Sequence, residues 1–253
     1  YKASKLVKLT SVVDTNIDNH ALVTEKNISK FKKYQDIVDH VDAVSIVTPT
    51  SSHFKIAKYF LEKKIHVLLE KPMTETVAQA KKLNNIAKKN NCILQIGHLE
   101  QFNPAIRKIR KSNCKPQFIE VHRLCQFNPR ANDVDVVLDL MIHDIDIVLS
   151  LIDKPIKNIE VSGKKILTKL TDIANVRIKF EDNVVANLTA SRISTKNERK
   201  MRIFSDSSYY SIDFINNELK QVVKDKKNNF KIKGFSFKKT DVLYEEINNF
   251  IKT

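Results

Sequence analysis

Ile65-His66-Val67-Leu68-Leu69-Glu70-Lys71-Pro72 is an apolar run that stops abruptly on a charged pair and a proline. Val67, Leu68 and Leu69 form a continuous apolar segment, the pattern of a parallel strand covered on both faces. Pro72 has no N–H to give a ladder, so it helps to end the strand. Glu70 and Lys71 then sit where the chain leaves the sheet. In an open α/β sheet that is where ligands bind. A lysine there can donate or accept a proton if its surroundings lower its pKa. Taken alone, the same residues also fit a solvated Lys-Pro turn.

Outward from this strand, elements alternate. Leu9 to Asp14 reads as a short strand ending in a carboxylate, and Asn19 to Lys33 as a polar helical or loop segment. Tyr34 to Val41 reads as a short helix and Asp42 to Val47 as a strand. Thr48-Pro49-Thr50-Ser51-Ser52-His53 is a hydroxyl-rich turn before a helix from about Ser52 to Lys63. Ser51 or Ser52 can cap that helix, and its N-terminus offers N–H groups to a phosphate or ribose. A helix from about Thr76 to Asn90 and a strand from Cys92 to His98 follow. Strands and helices alternating through Pro104 predict a parallel βα sheet.

Beyond Ala105 the pattern changes. Gln117 to Cys125 reads as a strand, and Val134 to Ile152 as an apolar helix carrying acids and one histidine. Alternating segments then run over Ile156 to Val161, Ala174 to Phe180, Val184 to Ser191, Met201 to Phe204 and Tyr209 to Phe214, as in a mainly antiparallel sheet. Lys224 to Lys239 is basic and polar, a hairpin or loop, and Val242 to Ile251 begins a last helix. The fold class expected is α/β, with a Rossmann-type parallel sheet over 1–104 and an α+β domain with a large open, mainly antiparallel sheet over 105–253.

The helix at Val134 to Ile152 holds Asp139-Leu140-Met141-Ile142-His143-Asp144-Ile145-Asp146. In a regular helix Asp139 and His143 share a face, with Asp146 one turn on. A carboxylate beside an imidazole fixes its tautomer and raises its basicity. Such a pair suits proton abstraction from an alcohol. It also fits an ordinary structural i,i+4 pair in a helix core.

Composition narrows the classes. The chain has 253 residues, 42% hydrophobic and 29% charged, as in a soluble globular protein. No apolar run approaches the ~20 residues that span a bilayer. Cys92, Cys114 and Cys125 are odd in number and lack metal-ligand spacing, which favours reduced thiols, a cytoplasmic setting and no metal. The formal charge of +15 is carried mostly by lysine, since only eight of the 44 basic residues are arginine. The lysines are scattered, and no nucleic-acid-binding motif accompanies them. A basic cleft for an anionic, phosphate-bearing small molecule is the better match to that charge.

With these motifs together, the chain resembles the glucose–fructose oxidoreductase, inositol dehydrogenase and rhizopine catabolism (Gfo/Idh/MocA) superfamily over nearly its whole length. The likeness rests on Asp14, Thr48-Pro49-Thr50-x-x-His53, Glu70-Lys71-Pro72, Gly97-His98 and Asp139-x-x-x-His143-x-x-Asp146. It implies a Rossmann domain for NAD and a second domain for substrate. Asp14, Thr48, Pro49, Thr50, His53, Glu70, Lys71 and His98 would then face the cofactor, with Asp14 on the adenosine ribose, where a carboxylate favours NAD over NADP. Lys71, Asp139 and His143 would be catalytic. A narrower likeness lies in Gly97-His98-x-Glu100-x-Phe102-Asn103-Pro104, Asp135 to Asp144 and Leu188-Thr189-Ala190-Ser191-Arg192-Ile193-Ser194. These are similar to the bacterial UDP-N-acetylglucosamine 3-dehydrogenase branch. It implies oxidation of a sugar 3-hydroxyl for lipid A synthesis, with Asn103, Arg130, Arg192 and Lys196 toward a nucleotide-sugar substrate. The three basic residues are equally readable as surface charges. The family likeness further implies a homodimer or homotetramer.

The sequence departs from the family in one respect. Only Gly97, Gly163 and Gly234 occur, and no G-x-G-x-x-G can be made from them. The first strand and glycine-rich turn of the Rossmann unit are therefore expected to be missing, and the chain to be truncated at both ends. Two other expectations stay open: a dehydrogenase of another sugar or cyclitol, and an inactive or sensor remnant.

Overall fold

Parallel strands organise the first part of the chain. The computed structural model describes residues 1, 4–128, 134–224, 229–238 and 240–253. Ser11–Val13 (β1) pairs in parallel with Ser29–Phe31 (β2). Ala43–Ile46 (β3), His66–Glu70 (β4) and Leu94–Gly97 (β5) form a second parallel ladder with β4 in the middle. Among the described residues no ladder joins the two, as expected for a Rossmann-type sheet without its central first strand. Val13 and Phe31 still pack on the same apolar cluster as Val44, Ile46 and Val67.

Helices Thr50–Glu62 (α1) and Val77–Lys89 (α2) connect β3 to β4 and β4 to β5. Thr76 caps α2, its Oγ1 accepting from the Gln79 N–H at 3.3 Å. Leu61, Leu69 and Leu83 are fully buried, each worth about 1.5–3 kcal/mol of transfer free energy. β2 is a strand where the sequence reading expects polar helix or loop. Three residues carry too little pattern to be read locally; their hydrogen bonds to β1 make them a strand.

Residues 99–242 form a second compact unit. It contains helix Pro104–Lys111 (α3), strand Pro116–Leu124 (β6), a wide helical turn at Val137–Met141 and helix Ile142–Leu151 (α4). Seven strands follow: Ile156–Lys164 (β7), Ile173–Phe180 (β8), Val185–Ser191 (β9), Glu198–Ser205 (β10), Ser208–Asp213 (β11), Glu218–Lys224 (β12) and Phe230–Ser236 (β13). The eight-stranded order is β13-β12-β11-β10-β6-β9-β8-β7, antiparallel except for β6 and β9. Of the basic stretch from Lys224 to Lys239, Lys224 ends β12 and Phe230–Ser236 is β13, which pairs antiparallel with β12. Alternate residues of β8, from Ala174 to Phe180, face a core shared with Ile106, Ile109, Ile147 and Val148 of α3 and α4.

The final helix, Val242–Lys252 (α5), leaves the second unit and packs Ile247 and Phe250 on Leu68 of β4. The compact units are accordingly 1–98 with 243–253, and 99–242. The sequence reading instead divides the chain after Pro104 and keeps the last helix with the second part. Only the tertiary contact with Leu68 and Ile93 reveals its return.

Glu246 of α5 is 1% exposed, and neither carboxylate oxygen meets a hydrogen-bond partner among the described residues. Burial, with a smaller push from Glu70, raises its carboxyl to about 7. The folded protein therefore holds this proton more tightly than the unfolded chain, whose carboxyl titrates near 4.5. Stability from this group is complete below that value and is lost as pH rises through about 7. Glu246→Gln should raise Tm by a few degrees at about pH 8. The gain should vanish under acid conditions below the unfolded carboxyl's pKa, as measured by calorimetry at both pH values.

Candidate active site

The carboxyl ends of β3, β4 and β5 carry most of the residues expected to face a cofactor. His53, 1% exposed, ties two of these ends together. Its Nδ1 lies 2.8 Å from the Pro72 carbonyl oxygen and its Nε2 2.8 Å from that of Thr48. Both ring nitrogens are thus occupied by backbone, so His53 shapes the turns rather than offering itself to a ligand. Pro49 is the N-cap of α1 and no side chain caps the helix, contrary to the expectation for Ser51 or Ser52. Ser52 Oγ instead donates to the Pro49 carbonyl at 2.8 Å and lies 2.7 Å from Thr48 Oγ1. Thr48 and Pro49 are exposed and Thr50 half-buried. At this uncapped start the Ser52 N–H donates to the Pro49 carbonyl at 2.9 Å.

Glu70 lies across Gly97. A Cβ at Gly97 would meet Glu70 Oε2 at 3.0 Å, its carboxyl carbon at 3.1 Å and its Cα at 3.3 Å. Glu70 Oε2 also accepts from the Lys71 N–H at 3.3 Å. Glycine at 97 therefore makes room for the carboxylate that orders the tip bearing Lys71. The Lys71–Pro72 peptide is cis. Lys71 and His98 are both half-buried. Asp14 follows β1, and its carboxylate accepts from the Asn16 N–H and from Asn19 Nδ2, each at 2.8 Å. The Asn19 bond, then that from Asn16, holds the carboxyl below its ordinary range. Its remaining lone pairs stay available to hydroxyl donors.

In the second unit, Asp139 belongs to the wide turn and His143 to the first turn of α4, both half-buried. The regular helix expected from the sequence is interrupted: the Ile142 N–H bonds the Val137 carbonyl, five residues back. Asp146 accepts from Gln101 Nε2. Cys125, which the sequence reading gives no place here, lies close enough for Asp139 to act on it. Burial first, and Asp139 second, push its thiol up.

Of the residues expected on the substrate side, Arg192 is differently employed. Arg192 is 3% exposed, and its guanidinium donates to Asp172 Oδ1 at 3.2 Å, the Val134 carbonyl at 3.0 Å and the Thr171 carbonyl at 2.9 Å. It clamps the segment entering the wide turn instead of reaching toward a ligand: just past the end of β9 its side chain is buried against Asp172. Asp172 also accepts from Ile166, Leu167 and Thr168. Burial pushes the Asp172 carboxyl up, but the Thr168 hydroxyl and these three N–H groups more than offset it and hold it well below its ordinary range. Asn103 caps α3, with Oδ1 accepting from Ala105 N–H at 3.0 Å and Nδ2 donating to Glu100 at 3.3 Å. Lys196 is an exposed surface charge 3.2 Å from Glu198. Arg130 lies outside the described residues.

Comparison with known proteins gives this arrangement its context. Residues 1–98 match the model of an oxidoreductase family with an NAD-binding Rossmann fold (GFO_IDH_MocA), and residues 116–210 match the GFO/IDH/MocA C-terminal domain. UDP-N-acetylglucosamine 3-dehydrogenase of Acidithiobacillus ferrooxidans is 37% identical over 220 residues, covering 86% of this chain and 70% of that protein. The chain belongs to the GFO/IDH/MocA oxidoreductase family. A solved structure of the Acidithiobacillus enzyme superposes with a TM-score of 0.90 at 35% identity, over 96% of this chain and 80% of the other. A more distant relative, scyllo-inositol 2-dehydrogenase (NAD(+)) of Bacillus subtilis, is 28% identical over 61% of this chain and 49% of its own length.

Family membership makes this an oxidoreductase whose first unit is an NAD-binding Rossmann domain. The residues present fit the ribose hydroxyls of that cofactor, for which Asp14 keeps an ionised carboxylate. The glycine-rich turn that seats a pyrophosphate is not among them.

Gly97→Ala should destabilise by about 1–3 kcal/mol, the usual cost of overpacking. Glu70→Ala in the same chain should recover most of that loss, since the two nearest atoms belong to the Glu70 carboxylate. Urea unfolding of the two variants and the wild type checks this.

Proposed function

We propose that the protein oxidises a secondary hydroxyl of a nucleotide-diphosphate sugar, C3 of UDP-N-acetylglucosamine, with NAD as oxidant. The observation that carries the reading is the 37% identity to a UDP-N-acetylglucosamine 3-dehydrogenase, sustained over 86% of the chain. Bound NAD supplies an acceptor for the hydride that leaves the carbinol carbon. His143 takes the hydroxyl proton. Asp139, four residues earlier, fixes the imidazole tautomer and favours the protonated ring. Lys71 brings a positive charge to the same oxygen and stabilises negative charge developing there. The products are a 3-keto sugar nucleotide and a reduced cofactor. A ketone at that position suits a following amination, as in the supply of diamino sugars for lipid A. The cytoplasm is the compartment this chemistry implies, and Cys92, Cys114 and Cys125 are free thiols.

A second reading keeps the fold and chemistry and replaces the substrate by another sugar or a cyclitol. It is favoured by the burial of Arg192, which removes one expected diphosphate contact, and by the inositol dehydrogenase among the relatives. Lys71→Ala and His143→Ala should each lower kcat by at least about a hundredfold, the scale of acid–base catalysis. Formation of NADH, followed by its absorbance with UDP-N-acetylglucosamine, other UDP-sugars and free cyclitols, tests both readings. Near-normal turnover of both variants would remove the assigned roles, and preference for a cyclitol would select the second reading.

A second copy of the chain is the proposed partner of the open sheet. The face away from α3 and α4 carries charges of both signs, with Arg202–Glu120 at 2.8 Å and Lys179–Glu160 at 2.6 Å. It also carries a Phe118–Phe204–Tyr209 aromatic row. Edge strand β7 leaves Ile159 and Val161 half or more exposed. Mixed charge with apolar surface suits a self-complementary contact. Light scattering should give at least twice the 29.2 kDa chain mass; a monomer at micromolar concentration would dismiss this partner.

A further inference from the structure

The turn before His143 holds one residue more than an α-turn. Such an extra residue has no fixed address. Moving it one place along a helix leaves the number of backbone hydrogen bonds nearly unchanged, yet rotates each side chain it passes by about 100°. His143 is the second residue beyond this turn, and Asp144 follows it.

Asp144 is 2% exposed and Arg123, on β6, 5% exposed. Their contact is a two-pronged fork: Arg123 Nε donates to Oδ2 and Nη2 to Oδ1, both at 2.7 Å. A fork of this kind closes in one orientation only. Burial pushes the Asp144 carboxyl up against the lowering effect of Arg123. Burial likewise disfavours the Arg123 guanidinium, but Asp144 and then Glu100 hold it above its ordinary range. The short, doubled bonds keep both groups ionised.

Arg123 is itself fixed. The register of β6 against β9 and β10 sets its backbone. Glu100 Oε1 lies 3.8 Å from its Nη2 and is also bonded by Arg199 of β10, while Asn103 donates to Glu100 Oε2. Two acids and two guanidinium groups thus form one internally neutral cluster. If the extra residue slid past position 144, the carboxylate would swing off Arg123 and leave buried charges unmatched, a heavy penalty.

We propose that Arg123 and Asp144 are positioning residues that lock the wide turn in place and so fix the direction of the His143 ring. This rests on the reading of His143 as the group that takes the hydroxyl proton. Apolar side chains of similar volume would fill the same space without a desolvation cost. They would not choose among rotations of α4, because apolar burial is non-directional.

The double substitution Arg123→Met/Asp144→Leu removes both charges together. It should hold Tm within a few degrees while kcat with NAD and UDP-N-acetylglucosamine falls at least tenfold and the KM for NAD is unchanged. NMR of the His143 imidazole should change from one set of resonances to broadened or doubled ones, with a shifted titration. Arg123→Lys keeps the charge without the fork, and both readouts should fall between wild type and double variant. Wild-type kcat together with a single, unshifted His143 signal in the double variant, or an Arg123→Lys variant identical to wild type in both readouts, would overturn the proposal. His143→Ala judges the underlying reading separately: unchanged turnover sinks the proton-transfer role, while the NMR comparison still decides whether the pair positions the ring.

Discussion

Two buried guanidinium–carboxylate pairs fasten the irregular helix of the second unit to its sheet. β6 and β9 run parallel and side by side; Arg123 lies on the core-facing row of β6, and Arg192 comes directly after the last residue of β9. Ile119 and Val121 precede Arg123; Ala186, Leu188 and Ala190 precede Arg192. Arg192 grips Asp172 and the carbonyls at the entrance to the wide turn. Arg123 grips Asp144 just after His143. The helix carrying the imidazole is therefore fastened to the sheet before and after its irregular turn. Losing one partner of such a pair costs about 3–5 kcal/mol, because a charge is left buried alone. The sheet, with its long β ladders, is the rigid reference from which this is done.

The first unit ties its strand ends together by other means. His53 joins the turn after β3 to the turn after β4 through two backbone carbonyls. Gly97 on β5 gives space to Glu70 on β4. Glu70 and Pro72 of the tip are thus held by a neighbouring strand and helix, and the Lys71 N–H by Glu70 itself. α5 adds a cost in the form of Glu246, whose buried carboxyl has nothing among the described residues to satisfy it. Sites that must hold one geometry often carry such locally unfavourable groups.

Much of this was legible in the chain itself. The apolar run ending at Glu70-Lys71-Pro72 gave a parallel strand with a charged tip. The alternation beyond Ala105 gave a large antiparallel sheet. The buried ionic groups were less legible, although Arg123 and Arg192 each continue an apolar alternation. Their carboxylate partners lie about 20 residues away in sequence, at 21 and 20 positions. No local period links such residues, so the same arginine reads equally as a surface charge or a ligand contact.

By itself the sequence determined the class of fold, the family and the residue types available for hydride-transfer chemistry, because hydrophobic period and motif spacing are local properties of the chain. Tertiary structure alone decided that Arg192 is a clamp, that His53 spends both nitrogens on backbone, that α5 returns to β4, and that an extra residue precedes His143. Those outcomes depend on which distant groups meet in a low-dielectric interior, where an unmatched charge or donor is too costly to leave.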